Sequence, residues 1–293
     1  MLGEAWSTLG FVLMAAGEAE EARAVSRRTT ALEPTSWRHQ FRLSVATWGE
    51  ERLRACDRTL ALLPDFAPTR FSAAMVFVAR QAFGRALSAA DEGAAAQSRQ
   101  TAHKGAPFPA VGLHWLRGLL LLRDGRMGLA IQSFSREINE LRAQQIYASE
   151  FRANAQVAAG FAYLAAGDPA GAVNAFRLAL ETLPRQGRAL IGLHEALCQM
   201  ARAPAAEPLL AQVDDAVEEL AMSQRLSEAA LVKAAAEAAR GDRDAACTTL
   251  QNLLEHAPPG HAGWLIPIDP AFAALRRHPH YAQLMALLAV RAA

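Results

Sequence analysis

The sequence contains few cysteines and almost no net charge. Its three cysteines, Cys56, Cys198 and Cys247, are far apart and odd in number, which argues against a disulfide framework or a closely spaced zinc site. We interpret them as small buried apolar residues in a reducing compartment and expect a cytoplasmic protein. A net charge of +1 disfavours a broad nucleic-acid surface, which is normally clearly basic.

Long apolar runs are also missing. None reaches the roughly 18 residues that suggest a membrane-spanning helix. Residues 9–16 are apolar enough for the core of a signal peptide, but the preceding segment contains Glu4 and lacks Lys and Arg. We therefore expect neither membrane association nor secretion.

The motifs of common catalytic sites do not occur either, including GxxxxGK[ST], GxGxxG, GxSxG and HExxH. Two metal candidates remain. His194 and Cys198 share one face of a helix, but no third ligand is evident. The second candidate is a group of histidines in Pro-rich loops or beside Pro279: His256, His261, His278 and His280. We interpret both as core or loop residues, and expect no metal, no cofactor and no enzymatic activity.

The sequence does contain a repeated helical pattern, which is clearest over residues 154–184. Val157, Phe161 and Leu164 recur at steps of four and three, as on one face of a helix. Gly167-Asp168-Pro169 then predicts a turn, because Gly suits a helix end, Asp caps a helix start and Pro suits its first position. A second helix with apolar residues on one face follows and ends near Pro184.

This segment resembles the tetratricopeptide repeat, a 34-residue pair of helices. Seven positions carry the resemblance: Gly160, Tyr163, Gly167, Ala172, Phe176, Ala179 and Pro184. Gly160 and Ala172 are small where the two helices would cross. Other copies are good over 3–36, 111–144 and 227–260 and irregular over 36–64, 68–99 and 185–220. The resemblance implies an all-α, right-handed superhelical solenoid of about seven antiparallel helix pairs.

In the irregular copies the turns are harder to place. We expect a break near Gly84 in one copy, and a turn at Pro204 and Pro208 in another. The first copy starts almost at Met1 without a polar capping helix. We therefore expect a preceding segment of the polypeptide or a partner for the first helix.

We expect three regions: N-terminal repeat units over 1–104, C-terminal units over 105–260, and capping helices over 261–293. The loop Gly105-Ala106-Pro107-Phe108-Pro109 would divide the first two. Asp269-Pro270 and His278-Pro279 each predict a helix start in the tail. This tail resembles the one that ends tetratricopeptide regions of bacterial multidomain regulators. The resemblance implies, as an alternative function, a regulatory repeat region whose effector domain lies outside this chain.

The resemblance also implies a binding surface on the concave groove of the solenoid, to which each first helix contributes fixed register positions. These positions predict a largely apolar site for a peptide or protein, or for the chain's own upstream effector domain. They are Trp115, Leu119, Leu122, Arg123, Asn154, Phe161 and Leu164. The favoured function is thus a protein-interaction scaffold or sensing module. A competing interpretation is that Trp115 and Phe161 only pack between adjacent repeats.

Overall fold

The computed structural model describes residues 2–101 and 110–293. Within these residues the regular structure consists of fifteen α-helices and one 3-10 helix, without strands. None of the described helices is both long and apolar enough to cross a membrane. The described chain forms two compact units. One comprises the described residues up to Ala110 with Pro259–His261 and Ala289–Ala293, and the other comprises Val111–Pro258 with Ala262–Leu288.

The first unit contains three helix pairs. Their helices are α1 (Leu2–Ala15), α2 (Ala19–Leu32), α3 (Trp37–Ala46), α4 (Gly49–Leu62), α5 (Ala67–Ala79) and α6 (Phe83–Thr101). Each odd-numbered helix packs against the helix that follows it. The second helix of one pair also packs on the first helix of the next pair.

The second unit repeats this arrangement four times. Its pairs are formed by α7 (Leu113–Arg123), α8 (Met127–Glu140), α9 (Ala148–Ala165), α10 (Pro169–Thr182), α11 (Gly187–Gln199), α12 (Ala203–Met222), α13 (Leu226–Ala239) and α14 (Arg243–His256). A 3-10 helix (Pro270–Arg277) and α15 (Tyr281–Arg291) follow. The described chain is therefore all-α and built from seven successive helix pairs, which confirms the predicted fold class.

The turn inside the clearest repeat forms as its residues predict. α9 ends at Ala165, Gly167 takes a left-handed conformation with φ of 78°, and α10 begins at Pro169. The Asp168 side chain accepts a hydrogen bond from the Gly171 N–H at 2.9 Å, so it satisfies one donor that the helix start leaves free. Asp269 caps the 3-10 helix in the same way, accepting from the Ala271 N–H at 3.1 Å.

The break predicted near Gly84 forms just before it, between the end of α5 at Ala79 and the start of α6 at Phe83, with Gln81 at φ of 58°. One predicted turn was wrong. Pro204 and Pro208 both lie inside α12, and the turn occurs earlier, at Ala201 with φ of 56°. A proline in the first turn of a helix removes an N–H that has no helical partner there, and Pro208 removes one backbone donor from a long helix.

Close helix crossings organise the core of the best repeat. Phe176 of α10 is fully buried, and an ideal Cβ at Gly160 of α9 would lie 2.6 Å from its ring. Gly192 of α11 also faces this ring closely, so Phe176 is held between two glycine-bearing helices. Ala172 is completely buried. Small residues at these positions let neighbouring helices approach.

The predicted loop at residues 105–109 and the division between 104 and 105 fall within residues 102–109, outside the described part of the chain. The three predicted regions therefore stay a prediction.

Candidate functional site

The predicted groove positions lie on the first helices of the second unit. Consecutive first helices contact each other, α7 with α9, α9 with α11, and α11 with α13. We call the surface that these four helices share the first-helix face.

A buried carboxylate fixes the start of α7 and thereby places Trp115. Glu137 of α8 accepts hydrogen bonds from the backbone N–H groups of Gly112 at 2.7 Å, His114 at 2.9 Å and Trp115 at 3.1 Å. These are donors that a helix start leaves without helical partners. Burial raises the pKa of Glu137, and the three N–H groups act against that rise. Gly112 itself has φ of 87°, a conformation that favours glycine.

Trp115 lies on the first-helix face but is only 6% exposed. Its ring packs edge-on against Phe151, with centroids 5.5 Å apart, and against Trp264, with centroids 6.4 Å apart. Leu119, one turn further along α7, is also buried. Trp264 belongs to the residues after α14, so the chain itself covers the predicted anchor.

The covering segment comprises residues 262–277, which we call the tail segment. Its 3-10 helix contacts α7, α9, α13 and α14. Five of its apolar side chains are at most 7% exposed: Leu265, Ile266, Ile268, Phe272 and Leu275. Since each such side chain contributes about 1.5–3 kcal/mol on burial, the tail segment is held firmly against the helices that it contacts.

A buried ion pair links the tail segment to α11. Arg188 Nη2 lies 2.9 Å from Asp269 Oδ2, and the two side chains are 18% and 3% exposed. A charge pair so far removed from water is stabilising only with good geometry, and removing either partner leaves the other charge uncompensated. Asp269 Oδ2 and Arg188 Nε make no hydrogen bond, so the two side chains join the tail segment to α11 by charge attraction alone.

A small cleft with an enclosed volume of about 20 Å³, partly open to solvent, remains beside this pair. It is lined by Trp115, Leu119, Asn154, Val157, Ala158, Arg188, Leu265, Asp269 and Pro270. Asn154 Oδ1 accepts a hydrogen bond from Gln186 Nε2 at 3.2 Å, which orients its amide. The cleft is thus lined by apolar side chains together with an amide and an ion pair.

The structure brings together three of the predicted site residues, because Trp115, Leu119 and Asn154 line the same cleft. Phe161 does not line it; its ring packs edge-on against Phe176, with centroids 5.2 Å apart. The remaining residues, Leu122, Arg123 and Leu164, are half-buried on the same two helices and lie outside the cleft lining. Arg123 Nη1 pairs with Asp124 Oδ1 at 2.8 Å.

Sequence reasoning missed the ion pair, although one signal for it exists. Adding one 34-residue repeat to Asn154 leads to position 188, so Arg188 occupies the same register position in the next copy. The irregularity of residues 185–220 hid this correspondence. Asp269 was recognised only as a helix cap, and nothing local indicates that its second oxygen meets Arg188.

Comparisons with solved structures identify the fold. The type IV pilus biogenesis factor PilW matches with a TM-score of 0.60 and 14% identity, over 73% of this chain and 93% of that chain. A tetratricopeptide repeat protein from Parabacteroides merdae matches with a TM-score of 0.52 and 12% identity, over 98% of both chains. A chain of the Cut9–Hcn1 hetero-tetramer of the APC/C matches with a TM-score of 0.56 and 14% identity.

The last match covers 97% of this chain but 48% of the Cut9–Hcn1 chain, so this chain spans about half of that relative's length. No protein-family model matches the sequence, and neither does any curated protein. At these identities the likeness concerns the fold alone. The chain has the tetratricopeptide-repeat fold, as the sequence predicted.

Proposed function

We propose that this chain is a non-enzymatic protein-interaction scaffold that binds a peptide or a partner segment at the first-helix face. The observation that carries the proposal is the tail segment. It packs Trp264 on Trp115, contributes Leu265 to the cleft and sets the Asp269 carboxylate against Arg188. A face that already accommodates one peptide segment has the apolar surface and the polar groups to accommodate more.

Surface for a partner remains beside the tail segment. The cleft itself encloses only about 20 Å³, room for about one water, so a partner would lie across the surface around the cleft rather than inside it. The half-buried Leu122 and Leu164 extend this surface along α7 and α9.

The chemistry of the cleft favours binding over catalysis. Among its lining residues the polar groups are Asn154, Arg188 and Asp269, and the last two neutralise each other. An amide and a paired guanidinium can orient a peptide through hydrogen bonds. They do not constitute a nucleophile with its base.

A peptide-display selection against the purified full chain tests this proposal. Selected peptides are then titrated by fluorescence anisotropy into Leu122→Glu and Leu164→Glu variants. The matched controls are Leu129→Glu and Leu178→Glu, because these leucines are 37% and 48% exposed on the second helices of the same two pairs.

We expect the inner substitutions, Leu122→Glu and Leu164→Glu on the first helices, to weaken peptide binding about tenfold or more, because a charge on the apolar surface must be desolvated. The outer substitutions, Leu129→Glu and Leu178→Glu on the second helices, should leave the affinity unchanged. Failure to select any peptide would contradict the proposal, and so would equal effects of the inner and outer substitutions.

A further inference from the structure

A cluster of metal-ligand side chains lies where α14 meets the end of the 3-10 helix. His278 Nε2 is 3.1 Å from Asp244 Oδ1, and the rings of His278 and His280 are 5.3 Å apart. One ligand atom from each of these three residues lies within 4.8 Å of the other two. None of the three lines the cleft on the first-helix face.

We propose that Asp244, His278 and His280 bind a divalent first-row transition metal such as Zn²⁺ or Co²⁺. Two ligand atoms on one tetrahedral Zn²⁺ at about 2.0–2.2 Å are about 3.3–3.6 Å apart, so side-chain rotations must bring atoms that now lie within 4.8 Å closer by up to about 1.5 Å. Two imidazoles and one carboxylate favour such metals over Mg²⁺ and Ca²⁺, which prefer sites built from oxygen ligands.

His278 is already oriented for this role. Its ring is 12% exposed and lies between Asp244 on one side and Cys247 on the other, with Cys247 Sγ 3.4 Å from Nδ1. A metal at Nε2 places the ring proton on Nδ1, so the hydrogen bond that Nδ1 accepts from the His280 backbone N–H at 3.4 Å must give way to donation toward the Cys247 sulfur. Metal-bound histidines generally donate their second N–H to such an outer partner, which fixes the ring.

Asp244 and His280 are the adaptable members of the site. The Asp244 side chain is 84% exposed, and His280 lies on the surface after Pro279. Both can turn toward a metal without disturbing packed neighbours. With three protein ligands, a tetrahedral ion keeps one position for water.

The metal would fasten the tail to the last helix pair. Asp244 belongs to the first turn of α14, whereas His278 and His280 lie between the 3-10 helix and α15. Ligands from two separate segments converge only in the folded chain, so metal binding stabilises the folded state. Metal binding therefore stabilises the packing of the residues after the 3-10 helix against α14.

The test uses the untagged, metal-free full chain. Co²⁺ is titrated while its visible absorption is followed, Zn²⁺ is used as competitor, and thermal melts are recorded with and without Zn²⁺. We expect one Co²⁺ per chain, displacement by Zn²⁺, and a melting temperature that rises with Zn²⁺ concentration.

His280→Ala and Asp244→Asn change exposed side chains, so both variants should keep the helical circular dichroism of the parent. Each should lower Co²⁺ affinity about tenfold or more, since even outer-shell changes cost about 10–100-fold. His256→Ala is the matched control, because His256 is an exposed histidine on α14 outside the cluster. The absence of saturable Co²⁺ binding would overturn the proposal, and so would an equal loss in His256→Ala.

Discussion

Replacing Gly160 by Ala tests the helix crossing at the centre of the best repeat. The added Cβ would lie 2.6 Å from the Phe176 ring, against at least 3.4 Å for an ordinary contact. The ring must therefore shift by about 0.8 Å, the difference of these distances. It has no free space to do so, because it is fully buried and Gly192 of the next pair faces it as well.

Two opposing effects set the magnitude of this change. Overpacking a well-filled core costs about 1–3 kcal/mol, whereas Gly→Ala inside a helix gains up to about 1 kcal/mol. The steric effect should win, and we expect the free energy of unfolding to fall by about 1–2 kcal/mol. The melting temperature should fall by roughly 2–4 °C for each kcal/mol.

The assay is urea unfolding followed by circular dichroism and by tryptophan fluorescence, since repeat proteins do not always unfold in one step. Gly128→Ala is the matched control. Gly128 lies in α8, is exposed, and its added Cβ would meet nothing within 4 Å. This variant should be more stable than the parent by up to about 1 kcal/mol. If both variants shift in the same direction by similar amounts, the proposed crossing at Phe176 is wrong.

Three further substitutions probe the same packing and the site. Ala172→Leu should lower the free energy of unfolding by about 1–3 kcal/mol in the same urea assay, because Ala172 is completely buried; an unchanged midpoint would place the crossing elsewhere. Glu137→Gln should cost about 1–3 kcal/mol, because an amide cannot accept all three N–H bonds at the start of α7, and unchanged stability would refute that capping role. Arg188→Met should lower the free energy of unfolding by up to about 3–5 kcal/mol, because it leaves Asp269 without its charge partner. Adding Asp269→Asn to the same chain should recover part of this loss; independent, additive losses would contradict a coupled ion pair.

The architecture of the clearest repeat was predictable because its signals are local. The turn at Gly167-Asp168-Pro169 follows from the backbone freedom of glycine, a side-chain cap and a proline at the first helical position. The turns at Gln81 and Ala201 carry no such signal, because ordinary residues there adopt positive φ. Packing between pairs overrides local preference at these positions.

The site was only partly predictable. Repeat register alone places Trp115, Leu119 and Asn154 around one cleft. Register cannot reveal that the tail segment lies on the same face, because that contact joins residues far apart in sequence. The sequence likewise indicates His278 and His280 as possible metal ligands but not Asp244, because Asp244 is far from them along the chain. The resemblance to bacterial multidomain regulators stays a prediction.

Hydrogen exchange of the tail segment in the full chain tests whether the chain's own tail occupies the first-helix face. The N–H groups of Ile266, Ile268 and Asp269 are hydrogen-bonded at 3.0, 3.0 and 2.9 Å and belong to buried residues. We predict that they exchange as slowly as the buried amides of α9. Exchange at the rate of an unstructured peptide, with α9 still protected, would contradict the account.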